Sequence, residues 1–310
     1  MKPDMRLGFV LPQVGPMAGP DALIEVAQRA EVLGFDSLWV TERLLFPVAP
    51  RAPYPPAADG SLPAPYKTVL DPLGTLAFVA AHTQQVRLGT SVLDVPYYNP
   101  VLLARQLTTI DVVSGGRLNV GLGLGWSPDE FEAAGATWKD RGRRADEFVR
   151  VLKAIWTTDP VEFAGEYFQI ASSIIGPKPV QKPHPPIYLA AYTPAGMRRV
   201  ARLGDGWNPA GVPLERMGQM FAAIQAMARE AGRATEDIAL VIRANCHITE
   251  DAEAAGRALF VGTVDQIAED VKAVEALGAS ETFFDVQYSP CVETVSDIVE
   301  SMERLWAAVA

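Results

Sequence analysis

The sequence predicts a (β/α)8 barrel. Eight short apolar runs alternate with amphipathic runs that read as helices. Eight such units in a chain of 310 residues match the arithmetic of a barrel, which needs ~250 residues or more. The first strand-to-helix turn lacks a glycine-rich phosphate loop, which disfavours the structural runner-up, a doubly wound open sheet.

The first unit pairs the strand RLGFVLPQ (6–13) with a helix over 21–34, where Asp21 lies near the start and Gly34 stops the helix. FDSLWVTE (35–42) is the second strand. A proline-rich stretch over 47–66 follows, too long for an ordinary connection and read as a functional loop or lid. Its widest bounds are 42–68. The helix 71–83, strand 86–95, helix 100–115, strand 117–125 and helix 141–157 continue the alternation. Residues 161–186 read as an insertion, a small hairpin with a proline-rich loop. The strands 187–192, 205–210, 238–249 and 280–288 each precede a helix, over 194–204, 213–232, 264–279 and 293–309. No domain boundary is visible, so the expectation is one domain over 1–310.

The composition limits the partners. A net charge of −10 argues against a nucleic-acid backbone or an anionic membrane, though not against a small anion held by backbone amides. The two cysteines, Cys246 and Cys291, are too few and too far apart for a disulfide framework. The N-terminus lacks the apolar core of a signal peptide, and no run approaches the roughly 18 apolar residues of a membrane span. A soluble, cytoplasmic protein with a small-molecule substrate is expected. His82, His184 and His247 show no metal-ligand spacing.

In the fourth strand, Gly121, Gly123 and Gly125 alternate with Val120, Leu122 and Leu124. The spacing fails the dinucleotide fingerprint. Alternate residues share one face of a strand, so that face is bare up to its C-terminal end, where barrels keep their active sites. A bare face admits a flat ligand or a neighbouring backbone, and relief of crowding is the plainer explanation. Other strand ends carry polar groups: Glu42 and Arg43 after the second, and AAYTPAGMRR (190–199) opening a helix after the fifth. Arg198 and Arg199 lie one turn into that helix and could add charge to an anion site.

The segments FDSLWVTE, VRLGTSVLDVPYYNP, SGGRLNVGLGLGWSPDEF, PPIYLAAYTPAGMRRVARLGDGW and VGTVDQIAEDVKAVEALGA stand in a telling order. Together they resemble the bacterial luciferase-like monooxygenase superfamily. The resemblance implies a barrel that binds a reduced flavin or deazaflavin at its C-terminal face. It is most similar to the branch using the deazaflavin coenzyme F420, a hydride carrier. It places Ser91 and Val92 at the family's bulge behind the ring, which often holds a non-proline cis peptide, with Asp94 just beyond. Glu42 matches the acidic residue near the ring. Gly123, Leu124, Gly125 and Trp126 match the segment lining the ring, so the bare face is where the ring would lie. Asp129 falls near a polar contact to the cofactor tail. Ala190, Ala191, Tyr192, Thr193, Pro194 and Ala195 match the turn whose amides hold a phosphate. Many relatives place a histidine directly after the acidic residue; here that position is Arg43, a poor proton shuttle. Turned inward it could bind an anionic substrate or steady developing negative charge; turned outward it is solvated. Glu42 and Arg43 are the expected catalytic pair.

The resemblance implies an F420-dependent oxidoreductase moving a hydride to or from a small organic substrate. The alternatives are a monooxygenase using reduced FMN and oxygen, and a non-catalytic barrel that binds a flavin. A homodimer is expected.

Overall fold

The computed structural model describes residues 4–55, 57 and 59–310. Eight parallel strands close a barrel: β1 (Arg6–Val10), β2 (Ser37–Val40), β3 (Arg87–Thr90), β4 (Leu118–Gly123), β5 (Ile187–Leu189), β6 (Gly206–Trp207), β7 (Ala239–Asn245) and β8 (Glu281–Asp285). Each strand pairs with its sequence neighbour, β1 pairs with β8, and β3 pairs with β4 at Leu88↔Leu118 and Gly89↔Asn119. The helices wrap outside: α1 (Pro20–Leu33), α2 (Pro72–Ala80), α3 (Pro100–Val113), α4 (Pro128–Ala133), α5 (Arg141–Thr157), α6 (Pro194–Leu203), α7 (Leu214–Glu230), α8 (Val264–Ala276) and α9 (Val295–Val309). The expected fold class is therefore observed.

The elements form for local reasons. Gly34 ends α1 in the left-handed region at φ 97°, and its N–H bonds back to the Ala30 and Glu31 carbonyls. Thr263 and Thr294 open α8 and α9 with capping boxes. Every residue of β2 and β8 is buried, because helices cover the outer face and side chains fill the lumen. Leu38 and Val40 point to the helices. Trp39 points inward, stacked on Phe283 at 4.4 Å beside Val10, Tyr188 and Val241. This layer plugs the barrel. Towards the strands' N-terminal ends lies the buried Glu281, bonded to Ser37, to Trp39 Nε1 at 3.0 Å and to Arg6 at 3.2 Å.

Three departures from the expected elements matter. The third strand does not run unbroken over 86–95: it stops at Thr90 and resumes as Leu93–Asp94, paired to β4. The seventh ends at Asn245, and His247–Ile248 pairs instead with Val261–Gly262 in a small outer sheet. The stretch after β4, expected as loop, contains α4. The insertion over 161–186 does begin with a hairpin, Val161–Ala164 against Gln169–Ser173. The proline-rich loop includes Pro56 and Ala58, which lie outside the described residues. No described helix is long and apolar enough to cross a membrane.

Candidate active site at the barrel mouth

The break in β3 organises the mouth of the barrel. Ser91 and Val92 leave the strand and fold inward across a cis peptide bond. Ser91 Oγ donates to Asn208 Oδ1 at 2.9 Å, and Ser91 O accepts from Arg243 Nη1 at 3.1 Å. Arg243 is held by Asp285 at 2.5 Å, which keeps the guanidinium fully charged inside the barrel.

The bulge explains the glycine row and corrects its expected role. A Cβ on Gly121 would collide with the Thr90 carbonyl oxygen. A Cβ on Gly123 would lie 2.5 Å from Val92 Cγ2 and 2.7 Å from Asp94 Oδ1. The bare face of β4 is therefore occupied by the neighbouring chain, and it does not present itself to a ring. Gly125, at φ 68°, turns the chain out of the strand, and its N–H donates to Asp94 Oδ1 at 2.8 Å.

Glu42 lies two residues beyond β2. Its Oε2 accepts the Asp94 N–H at 2.6 Å, and its Oε1 takes the Tyr98 hydroxyl. Burial, reinforced by the negative charge of Asp94, pushes Glu42 up to about 8. Burial also raises Asp94 to about 6, against the opposing pull of Arg43. Two carboxyls thus share one pocket and hold protons well above the ordinary carboxylate range.

Arg43 turns inward, so the solvated placement is excluded. Its guanidinium is already committed, however. Nη2 pairs with Glu130 Oε2 at 2.6 Å, and the group lies 5.1 Å over Trp126 and 5.7 Å over Tyr66. Glu130, fully buried, also accepts the Leu44 N–H at 2.8 Å. Arg43 is a tie between the loop after β2 and α4, so the expected capture of an anionic substrate is not what the structure gives it.

Aromatic rings roof the mouth. Tyr54 lies 5.4 Å from Trp126 and 5.9 Å from Tyr66, which lies 5.6 Å from Tyr288. Tyr54 and Tyr66 come from the proline-rich loop. Arg51 of that loop donates to Asp129 Oδ1 at 2.8 Å and to the Pro128 carbonyl at 2.7 Å, and pairs with Glu132 at 2.7 Å. Both Asp129 oxygens are engaged by Arg51, so Asp129 latches the loop. Beneath the roof, Arg243 Nε, Gln287 Oε1 and Tyr288 Oη are buried and have no hydrogen-bond partner among the described residues.

On the far side of β4, Ala190 N bonds to Leu122 O at 3.0 Å, and the Ala191 carbonyl accepts Trp207 Nε1 at 2.9 Å. Tyr192 bonds to Ala210, and Thr193 caps α6 by accepting the Gly196 N–H at 3.2 Å. Pro194 and Ala195 face solvent in its first turn. A crevice of about 10 Å³ runs between Leu124 and Gly123 on one side and Ala190 and Arg199 on the other. Arg198 is exposed; Arg199 is bound to Asp146 and to the Gly142 carbonyl.

Residues 5–260 match the profile of the luciferase-like monooxygenases. The chain belongs to this family. It is 31% identical over 244 residues to an F420-dependent glucose-6-phosphate dehydrogenase of Amycolatopsis mediterranei, covering 76% of this chain and 68% of that one. It is 32% identical over 203 residues to an FMNH2-dependent dimethylsulfone monooxygenase of Pseudomonas putida, covering 64% and 54%. The fold matches an F420-dependent secondary alcohol dehydrogenase, solved with an F420–acetone adduct, at a TM-score of 0.79 with 18% identity over the whole of both chains.

As a luciferase-like protein the chain is an oxidoreductase. Sequence reasoning singled out Glu42, Ser91, Val92 and Asp94, and the structure gathers these four. It missed Arg243 and Asp285, although each is a charged residue at an inward position of a largely buried strand, which is a readable signal. It also missed Glu130, Arg51, Tyr54, Tyr66 and Tyr288. Tyr98 entered only as part of the matched segment VRLGTSVLDVPYYNP. No histidine joins the site: His247 is exposed on the outer sheet, and His184 packs on Trp156.

Proposed function

We propose that this luciferase-like protein is an F420-dependent oxidoreductase that moves a hydride between the deazaflavin and a small organic substrate. The observation that carries the reading is the Glu42–Tyr98–Asp94 group beside the Ser91–Val92 bulge. Interconverting an alcohol and a carbonyl, or reducing an enone or imine, needs a proton as well as a hydride. A carboxyl that titrates near 8 can hold that proton at neutral pH and release it.

The residues present suit the cofactor. Val92, Leu124 and Trp126 offer apolar walls, and Arg243 Nε, Tyr288 Oη and Gln287 Oε1 offer two donors and an acceptor with no other partner among the described residues. When bound, the deazaflavin supplies the carbon that carries the hydride. The protein does the rest. Asp94 and Tyr98 fix the Glu42 carboxyl in place. Arg243, anchored by Asp285, holds the bulge from below. The tyrosine roof excludes water, so these polar groups act in a low dielectric, and the proline-rich loop must lift for exchange.

The second reading is a monooxygenase with reduced FMN and oxygen, favoured by the likeness to the dimethylsulfone enzyme. Titration with oxidised F420 and with FMN in parallel, following tryptophan fluorescence, separates the two. Trp126, under Tyr54 in the roof, is the expected reporter. Micromolar or tighter binding of F420 alone supports the hydride reading; preference for FMN supports the second. The protein is further expected to act as a homodimer on a small-molecule substrate without a nucleic-acid or membrane partner, which light scattering and binding controls test.

A further inference from the structure

The tip of the proline-rich loop puts a ring where a ligand has to enter. Tyr54 sits between Trp126 and Tyr66, with ring centroids 5.4 Å and 5.9 Å away. Its hydroxyl lies 3.3 Å from that of Tyr66 and in the field of the Arg43 and Arg243 guanidiniums. The walls of this slot belong to the barrel. Trp126 follows the end of β4, ahead of α4. Tyr66 is buried in a short turn at the base of the loop. The chain beside it is pinned by the Gly15 N–H on the Thr68 carbonyl at 2.8 Å and the Leu70 N–H on the Gln13 carbonyl at 3.0 Å. The Arg43 guanidinium lies over both the Trp126 and Tyr66 rings and is fixed by Glu130.

Tyr54 itself is held lightly. Its N–H bonds to the Gly60 carbonyl at 2.8 Å, so the tip closes on itself. The tip reaches the barrel through the Tyr54 ring and through Arg51, which is half-exposed on Asp129 and Glu132. Exposed ion pairs of this kind add little stability. Burial pushes the Tyr54 phenol up, so the hydroxyl stays neutral. A flat, uncharged ring with one oxygen thus fills the slot, on a segment that leaves it when the loop lifts.

The charges beside the slot are already balanced, Arg43 by Glu130 and Arg243 by Asp285. An anion entering here would lose its water without gaining a free cation. A neutral oxygen loses far less, and the aromatic walls favour a conjugated ring over a saturated one.

We propose that Tyr54 holds the substrate's place, and that the substrate is a flat, uncharged, conjugated carbonyl compound, an aryl ketone or cyclic enone, whose ring enters between Trp126 and Tyr66 when Tyr54 leaves. Its oxygen then takes the position of the Tyr54 hydroxyl, beside Tyr66. The choice of a carbonyl rests on the hydride-transfer reading above; the slot and its preference for a flat neutral ring do not.

The experiment measures binding by calorimetry for three probes: 2-acetylnaphthalene, the saturated cyclohexyl methyl ketone, and the anion 2-naphthoate. The proteins are the full chain and its Tyr54→Ala and Tyr54→Phe variants, each checked for an unchanged melting temperature. The wild type is expected to bind acetylnaphthalene about three- to tenfold tighter than the saturated ketone, the scale of one aromatic contact, and tighter than naphthoate. Tyr54→Ala removes the competing ring, so its affinity for acetylnaphthalene rises by about threefold or more. Tyr54→Phe keeps the ring in the slot and gains nothing. A loss of affinity in Tyr54→Ala overturns the proposal, because Tyr54 would then be a wall. Equal binding of the saturated ketone, stronger binding of naphthoate, or binding of no probe to any of the three proteins overturns it too. F420 is titrated alongside. If F420 fails to bind while the probes behave as expected, the hydride reading fails and the slot stands.

Discussion

The Glu42 carboxyl oxygen Oε2 lies 2.6 Å from the backbone nitrogen of Asp94. That contact ties the end of β2 to the end of the β3 bulge and places two carboxyls in one desolvated pocket. Burial raises both, the charge of Asp94 further discourages ionisation of Glu42, and the Tyr98 hydroxyl completes the set.

Replacing Glu42 by Gln removes the titrating proton and keeps the shape. Turnover is expected to fall by ~10²–10⁴-fold, the usual worth of a positioned acid or base. In the direction of substrate oxidation the wild-type rate should climb to an apparent pKa of about 8, and that limb should vanish in the variant. A rate profile measured from pH 5 to 10 decides the matter, and an unchanged limb in the variant would assign it to another group.

The same carboxyl shapes stability. Its folded value of about 8 lies above its ordinary 4.5, so the folded state holds the proton more tightly. The stabilisation is complete below pH 4.5 and is lost as pH rises to 8. Melting temperature should therefore drop across this window, and by less in the Glu42→Gln variant. Parallel melting curves for the two proteins check the sign.

Gly123→Ala forces a methyl against Val92 and Asp94. The cost expected for such overpacking is about 1–3 kcal/mol, read from denaturant midpoints. Deazaflavin affinity should weaken with it, because the bulge must move. A variant of wild-type stability and affinity would show that the bulge has room the structure does not reveal.

Glu130→Ala leaves Arg43 buried and unpaired, which should cost about 3–5 kcal/mol. Adding Arg43→Met should restore most of that loss, since the uncompensated charge is then gone. Failure of the second change to rescue would make Glu130 important chiefly for its bond to the Leu44 amide.

Arg51→Ala unlatches the proline-rich loop from α4. Because Arg51 is exposed, stability should change by no more than ~0.5 kcal/mol. The expected effect is kinetic: faster cofactor release and faster hydrogen exchange over residues 45–66.

The barrel was legible because its determinants are local. Alternating strands and amphipathic helices announce themselves within ten or fifteen residues. The site was legible only in part, because its determinants are not local. Nothing within NVGLGLG says that the space beside Gly121 and Gly123 is filled by Thr90 and Val92, some thirty residues earlier. Likewise Arg43 could be placed inward or outward only by finding Glu130, 87 residues on. The bulge itself came from family resemblance; Ser91 and Val92 carry no side-chain signal that would break a strand. Arg243 and Asp285 could have been found from the residues alone, since a charge inside an apolar strand seldom sits there without a partner.

The central claim is hydride transfer on a deazaflavin, and anaerobic turnover tests it most directly. The purified protein is mixed with oxidised F420 and a panel of small alcohols, or with reduced F420 and enones and imines, and cofactor absorbance is followed without oxygen. The account predicts substrate-dependent reduction or oxidation of F420 that is lost in Glu42→Gln. No change in F420 over the panel, together with substrate-dependent oxygen uptake in the presence of reduced FMN, would contradict it.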